Sequence, residues 1–276
     1  MIRINNSKKI VEEFLLKNKD KFNRDMEGAE AYTTLVRLAS LSQRLPNIQK
    51  HFETVTIVSG SEDEVDLRIM DFDNLHILNY DEDTIDTQVD QTKPKIFRHK
   101  IDKSFSNRKW DLDLSWKDFD VPKSDFTICN QVFEHIYNPH QAILNLKKIT
   151  KRNGYILISI PSINCIHGEP YYYTSGYHPR FLERLAKENN LTICFLEYWG
   201  SLKYMFHKIG GRWRTYKSLA KGIHDKSDLR YPSFIFVDGR INENKLPPIL
   251  SLQKYHTSLP PTTHIIDECW TLLKVN

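Results

Sequence analysis

The sequence predicts an α/β fold in which a mostly parallel sheet carries helices on both faces, with a helical N-terminal extension and a C-terminal extension. Three observations predict it. Short β-branched and apolar runs alternate with segments of helical period. One such alternation, between residues 126 and 160, closes a strand–helix–strand unit. The length of 276 residues suits one sizeable core with additions and is short for two catalytic domains.

The elements follow in order. Residues 27–45 place Ala31, Leu35, Leu38, Leu41 and Leu45 at helical spacing, and Pro46 is expected to stop that helix. Residues 54–58 form a β-branched run closed by Ser59, Gly60 and Ser61, and residues 75–78 form a second apolar run; both read as buried strands. Residues 62–70 between them have room for only a short helix, and residues 81–110 carry no assignable period. Residues 126–129 are a strand. Asn138 then caps a helix with Pro139 next to it, burying Ala142, Ile143, Leu146 and Ile149. That helix is expected to end at Asn153 and Gly154, with glycine in the left-handed conformation, before a strand over 155–160 stopped by Pro161. A helix over 179–188 buries Phe181, Leu182 and Leu185, and strands follow at 191–196 and 233–237. The implied organisation is a helical extension over 1–50, a catalytic-type α/β domain over 51–245 and a C-terminal extension over 246–276. The prolines at 247, 248, 260 and 261 suggest that the extension wraps the domain.

Composition bounds the function. Hydrophobic residues at 40% and charged residues at 27% are ordinary for a soluble globular protein, and no run approaches the roughly 18 apolar residues of a membrane span. The first nine residues lack the apolar run of a secretory signal, so a cytoplasmic location is expected. Cys129, Cys165, Cys194 and Cys269 have no close pair; buried free thiols are expected rather than zinc or a disulfide. The net charge of +4 is too small to argue for nucleic acid, although residues 200–231 form a basic insertion with Lys203, Lys208, Arg212, Arg214, Lys217, Lys221, Lys226 and Arg230. Such a run is a solvated helical face or an anion-binding patch.

From Trp110 onward a series of spaced segments resembles class I S-adenosylmethionine-dependent methyltransferases, in particular their sugar- and polysaccharide-modifying branch. Asp111, Leu112 and Asp113 precede the segment 121–126, which is similar to that family's acidic adenine-side position and its strand entry. Residues 130–135 (Asn-Gln-Val-Phe-Glu-His) resemble the segment after the family's fourth strand. Residues 151–154 stand for its "LKPGG" turn, Ile158-Ser159-Ile160-Pro161 for the end of its fifth strand, and residues 167–170 (His-Gly-Glu-Pro) for an "H-x-x-P" element of the branch. The resemblance implies a Rossmann-like fold, S-adenosylmethionine as cofactor, Gly60 in the cofactor loop, and Asp81 as the acid for the ribose hydroxyls. Glu82 and Asp83 are alternatives to Asp81. It further places Asp111 or Asp113 at the adenine amino group, and Asn130 and Gln131 beside the methionine portion. The glycine-rich loop itself is degenerate: only Gly60 remains, followed by Glu62, Asp63 and Glu64.

Methyl transfer to a hydroxyl needs alignment and a base, and histidine suits that task near neutral pH. The candidates are His167 and His178, which follow the family's fifth strand, and then His135, which could instead cap a helix or bond a neighbouring loop. Tyr172, Tyr173, Glu169 and Arg180 are expected to bind the acceptor, because rings with polar tips suit sugar faces. No metal is expected, since these histidines lack ligand spacing. Two functions remain open on sequence alone. One is O-methylation of a sugar, nucleotide-linked sugar or polysaccharide, with the basic insertion on a phosphate of the small-molecule or carbohydrate acceptor. The other is a catalytically degenerate Rossmann-like module that binds an anionic polymer or protein partner.

Overall fold

The computed structural model describes residues 1–22, 32–80, 97–106, 108–117, 120–162, 171–200, 236–237, 240–241 and 267–276. Its elements are β1 (Ile2–Arg3), α1 (Ser7–Lys17), α2 (Lys19–Phe22), α3 (Tyr32–Ile48), β2 (Phe52–Val58), β3 (Phe72–Asn79), β4 (Ile101–Ser106), β5 (Ser124–Asn130), α4 (Pro139–Ile149), β6 (Thr150–Pro161), α5 (Pro179–Glu188), β7 (Leu191–Trp199), the short pair β8 (Phe236–Val237) and β9 (Arg240–Ile241), and β10 (Glu268–Val275).

Eight strands form one sheet in the order β1-β7-β10-β6-β5-β2-β3-β4. All pairs are parallel except those of β10, which runs antiparallel between β6 and β7. Read outward from β2 and β5, the order reverses between these two strands, as it does in doubly wound Rossmann sheets. Such a switch point opens a crevice at the carboxyl ends of the strands. The expected Rossmann-like α/β architecture is therefore present.

The two faces bury different cores. Val55, Ile57, Leu75, Ile77, Phe126, Ile128, Leu157 and Trp270 pack under α1 and α3, together with Val11, Phe14, Leu35 and Leu38. On the other face, Ile156, Ile158, Ile160 and Cys269 pack against Ala142, Ile143 and Leu146 of α4 and Leu182 and Leu185 of α5. Asn138 caps α4 as expected, its Oδ1 accepting from Gln141 N at 3.2 Å with proline at the start of the helix.

Five expectations need correction. The C-terminal segment is not wholly a wrap, because Glu268–Val275 is a central strand of the sheet and almost entirely buried. The expected last strand at 233–237 is seen only as Phe236–Val237, which pairs with Arg240–Ile241 outside the main sheet. Helix α3 continues past Pro46 to Ile48, since a proline in the last turn removes one amide bond without ending the helix, and Gln49 N still reaches Leu45 O at 2.9 Å. Helix α4 ends at Ile149, ahead of the expected Asn153 and Gly154, and the left-handed residue is Asn153 (φ 64°), inside β6, not Gly154. A Cβ on Gly154 would lie 2.9 Å from Asp125 O and Lys151 O, so that glycine serves close packing. Residues 200–231 fall largely outside the described residues. Cys129 and Cys269 are buried free thiols, whereas Cys194 is exposed; Cys165 is not described.

Between β2 and β3 the chain makes only a 3₁₀ turn, Val65–Ile69, and α3 covers this side of the sheet. The packing face of α3 carries a polar seam. Arg37 is 2% exposed and bonds Asp66 twice, through Nη2 at 2.8 Å and Nε at 3.3 Å. Its Nη1 donates to Ser159 Oγ at 3.1 Å and to Glu268 Oε1. Further along the helix, Ser40 and Arg44 both meet the buried Glu197, which also accepts from Trp270 Nε1 at 3.1 Å. Removing one partner of a buried pair leaves the others charged and uncompensated. Arg37→Met should therefore destabilise the fold by about 3–5 kcal/mol in chemical denaturation at neutral pH; a loss below about 1 kcal/mol would contradict this role.

Candidate functional site

The carboxyl ends of β2 and β5 define the crevice, and the loop after β2 is its floor. Ser59 takes the left-handed conformation (φ 57°) that the missing first glycine would favour. Gly60 is held on both backbone atoms by one side chain: Asn79 Oδ1 accepts from Gly60 N and Asn79 Nδ2 donates to Gly60 O, each at 3.0 Å. A Cβ on Gly60 would meet Ile57 Cγ2 at 2.6 Å, so the core below also requires glycine here. Four loop amides already have acceptors: Ser59 N on Leu78 O, Gly60 N on Asn79, Asp63 N on Ser61 Oγ and Glu64 N on Ser61 O. These amides do not form an anion-binding nest.

Carboxylates stand in its place. Glu64 reaches back over Gly60, its Oε2 being 3.7 Å from where a Cβ would sit, and its Oε1 accepts from Asn130 Nδ2 at 3.3 Å. Asn130, at the end of β5, also donates to Asp66 Oδ2 at 2.9 Å. Burial and then the negative charge of Asp66 push the Glu64 carboxyl up to about 8, against the pull of Arg37 and Asn130. Burial opposes the charge of Arg37 as well, but Asp66 and Glu268 outweigh it and raise the guanidinium above its ordinary value. Gln131 follows in the left-handed conformation (φ 53°), with Nε2 3.4 Å from Ser159 Oγ. The cluster thus joins α3, the turn after β2, β5, β6 and β10.

The adenine-side acids differ from each other. Asp113 accepts backbone amides with both oxygens, from Asn138 N at 2.6 Å and Tyr137 N at 3.1 Å, and so locks the approach to α4. Asp111 accepts from Asp113 N at 2.8 Å through one oxygen. The buried Asn145 of α4 donates to Leu112 O and Leu114 O at 3.0 and 2.8 Å and holds this loop in place.

Residues 171–173 form the rim opposite. Three consecutive tyrosines meet three rings from the ends of β3 and β5: Tyr171 against Tyr80 (5.7 Å), Tyr172 against His135 (5.9 Å) and Tyr173 against Tyr137 (5.6 Å). Tyr173 N and Thr174 N donate to Glu134 O at 2.9 and 3.3 Å, docking the segment on the turn after β5. Gly176 adopts φ +146° against the end of β6, where a Cβ would lie 2.5 Å from Ser162 C, so only glycine fits.

Two of the expected histidines are described, and both bond through Nδ1, in opposite roles. His135 Nδ1 lies 2.7 Å from Tyr171 O; a carbonyl only accepts, so Nδ1 carries the proton and Nε2 has the basic character. His178 Nδ1 accepts from Arg180 N at 3.2 Å as the N-cap of α5, which employs its basic nitrogen in the fold. Arg180 is exposed and faces Glu183 at 3.7 Å. Asp81, His167 and Glu169 lie outside the described residues. Among the described residues no His, Cys, Asp and Glu group is arranged to hold a metal ion, and no helix is long and apolar enough to cross a membrane.

Sequence reasoning missed Arg37, Glu64, Asp66, Asn79 and Glu268. The signal for Arg37 was a charge inside the run Leu35-Val36-Arg37-Leu38-Ala39, where a buried cation needs acidic partners. The acids after Gly60 were visible only as a departure from the glycine-rich pattern.

No family model matches the chain, and no curated protein matches it in sequence. Its fold can be laid over solved structures at low similarity. One is a chain from the complex of the Haloferax volcanii Trm112 methyltransferase activator (11% identity, 97% of this chain and 96% of that one, TM-score 0.49). Another is a SAM-dependent methyltransferase from Archaeoglobus fulgidus (12%, 95% and 99%, 0.46). A third is the Haemonchus contortus phosphoethanolamine N-methyltransferase 2 in complex with S-adenosyl-L-methionine (11%, 99% and 60%, 0.49). Similarity at this level carries no inference about activity.

The raised Glu64 carboxyl makes stability pH-dependent. Its folded-state value of about 8 exceeds its ordinary 4.5, so folding takes up a proton. Its contribution is complete below about 4.5 and declines as pH rises through about 8. Glu64→Gln, which imitates the protonated form, should raise the melting temperature more at pH 9 than at pH 5; an equal shift at both would refute the assignment.

Proposed function

We propose that the chain is an S-adenosylmethionine-dependent methyltransferase that O-methylates a sugar, a nucleotide-linked sugar or a polysaccharide. The observation that carries the reading is the switch-point crevice, where the loop at Gly60 and the end of β5 at Asn130 meet in the order the sequence motifs imply. The residues present fit a cationic cofactor, because two acids, Asp66 and Glu268, share Arg37 at the floor, with the Glu64 carboxyl beside them. When bound, the cofactor supplies an activated methyl group on a sulfonium sulfur.

Each residue then has a role in binding, orientation or proton transfer. Asn130 and Gln131 face the methionine portion, Gly60 the loop side, and Asp81 the ribose. Asp111 takes the adenine amino group in preference to Asp113, whose oxygens hold Tyr137 and Asn138. Tyr172 and Tyr173, with Glu169 and Arg180, form the acceptor side, supported by the exposed rings at the rim. His135 removes the acceptor proton in preference to His178, since Tyr171 O fixes its ring with Nε2 as the acceptor. His167, a first candidate on sequence, is the alternative base. The basic insertion contacts a phosphate on the acceptor, and the protein works in the cytoplasm without a metal.

Titrating the purified protein with S-adenosylmethionine or S-adenosylhomocysteine by calorimetry should show one site per chain. No binding at millimolar ligand would end the methyltransferase reading and leave a non-catalytic module. Once an acceptor is in hand, His135→Ala should lower turnover by about two to four orders of magnitude with cofactor affinity unchanged. His178→Ala should instead cost about 1 kcal/mol of stability, the usual worth of a side-chain cap, with turnover retained. Reversal of these two outcomes would assign the base to His178.

A further inference from the structure

Away from the crevice, the edge of the sheet holds a buried ionisable ring. His76, in the middle of β3, is 1% exposed, and its neighbours in register are Thr56 of β2 and Lys103 of β4. Its Nε2 lies 3.1 Å from Asp102 Oδ2, on a half-exposed side chain of the edge strand β4. A carboxylate only accepts, so Nε2 carries the proton of the neutral ring and Nδ1 is left as an acceptor. Among the described residues Nδ1 is buried with no hydrogen-bond partner, and the same holds for Thr56 Oγ1 beside it in β2.

An imidazolium would carry a second N–H at Nδ1, a buried donor without an acceptor, which costs free energy. The charged groups that bear on the ring among the described residues are Asp102 and Lys103 of β4; β2 presents the uncharged Thr56. Burial and the like charge of Lys103 outweigh Asp102 and hold the ring below its ordinary 6.5. A proton on Nδ1 is solvated most cheaply by separating β4, since an edge strand is held by one ladder of hydrogen bonds and β2 by two. We infer that His76 is an acid-sensitive latch on β4: the neutral ring holds the edge strand through Asp102, and opening of that strand is coupled to uptake of a proton at Nδ1. The consequence reaches the adenine-side loop, because Phe105 of β4 packs on Trp110 at 5.7 Å and Trp110 on Trp116 at 5.2 Å, the two indoles flanking Asp111 and Asp113. The latch does not depend on the cofactor reading. Because the folded ring binds its proton less readily than the unfolded one, its contribution to stability is complete above about 6.5 and is lost as pH falls below it.

Amide hydrogen exchange between about pH 7.5 and about pH 5 tests the latch, read as the ratio of rates in β4 to rates in β5 so that the intrinsic pH dependence cancels. In wild type the ratio should climb by up to about tenfold per pH unit below 6.5, where the opened ring takes a proton that the closed one does not. His76→Phe, apolar and close in size, and His76→Gln should each hold the ratio flat. Side-chain 15N spectra of wild type should show the His76 proton on Nε2 at neutral pH and a titration below 6.5. A ratio that stays flat in wild type, one that climbs equally in a folded variant, or a ring that titrates at or above 6.5 overturns the latch. The wild-type spectra and exchange decide the matter even where a variant does not fold.

Discussion

The burial of Arg37 is the constraint from which the rest of this architecture follows. A guanidinium that is 2% exposed must find acceptors, and these come from three places distant in sequence: Asp66 in the turn after β2, the Ser159 hydroxyl at the end of β6 and Glu268 at the start of β10. Because Arg37 lies on α3, these bonds fix the helix over the carboxyl half of the sheet, where the short β2-to-β3 connection places only a 3₁₀ turn. They also bring the last strand of the chain to the same point. Dispersion and apolar burial hold α3 to the sheet, but they do not specify its register. The fork geometry of Arg37, with Ser40 and Arg44 on Glu197 further along, does so.

Much of this fold was legible in the sequence, and the misses have physical causes. Elements with an unambiguous period and a cap were readable: the capped helix α4, helix α5 and the apolar strands β2, β3, β5 and β7 lie at or within a few residues of their expected positions. Strand β4 was not assigned, although Ile101, Lys103 and Phe105 alternate with the exposed Asp102 and Ser104; an edge strand needs only one half-buried face and gives a weak signal. Strand β10 was obscured by the prolines before it, yet Cys269, Trp270, Leu272, Leu273 and Val275 make the near-continuous apolar run of a strand covered on both faces. Its direction and its place between β6 and β7 are tertiary facts that no local period encodes.

The site was legible by position and less so by role. The motif order brought Gly60, Asn130 and Gln131 to one crevice, but residue type alone could not separate Asp111 from Asp113 or His135 from His178. Those distinctions arise from backbone partners. Asp113 holds two amides ahead of α4, and His178 caps the helix that begins beside it. Whether a histidine caps a helix is not visible in its residue type; the role of Nδ1, accepting in His178 and donating in His135, separates the two.

The loss of glycines from the loop after β2 bears on what the crevice can recognise. A glycine-rich loop offers backbone N–H groups to an anion because little else competes for them. In this chain Asn79 takes the amide of Gly60, the edge of β3 takes that of Ser59, and Ser61 takes those of Asp63 and Glu64, so the loop is rigid and these donors are occupied. The chemistry left to it is that of buried acceptors: the Glu64 carboxyl, raised by burial and by Asp66, and the amide oxygen of Asn130, which has no hydrogen-bond partner among the described residues. With those donors occupied, the floor offers acceptors where a glycine-rich loop would offer amides. Arg37 stabilises that arrangement, since it pairs with Asp66 and Glu268 at once, and without it two buried carboxylates would be left beside Glu64 with no cation to compensate them.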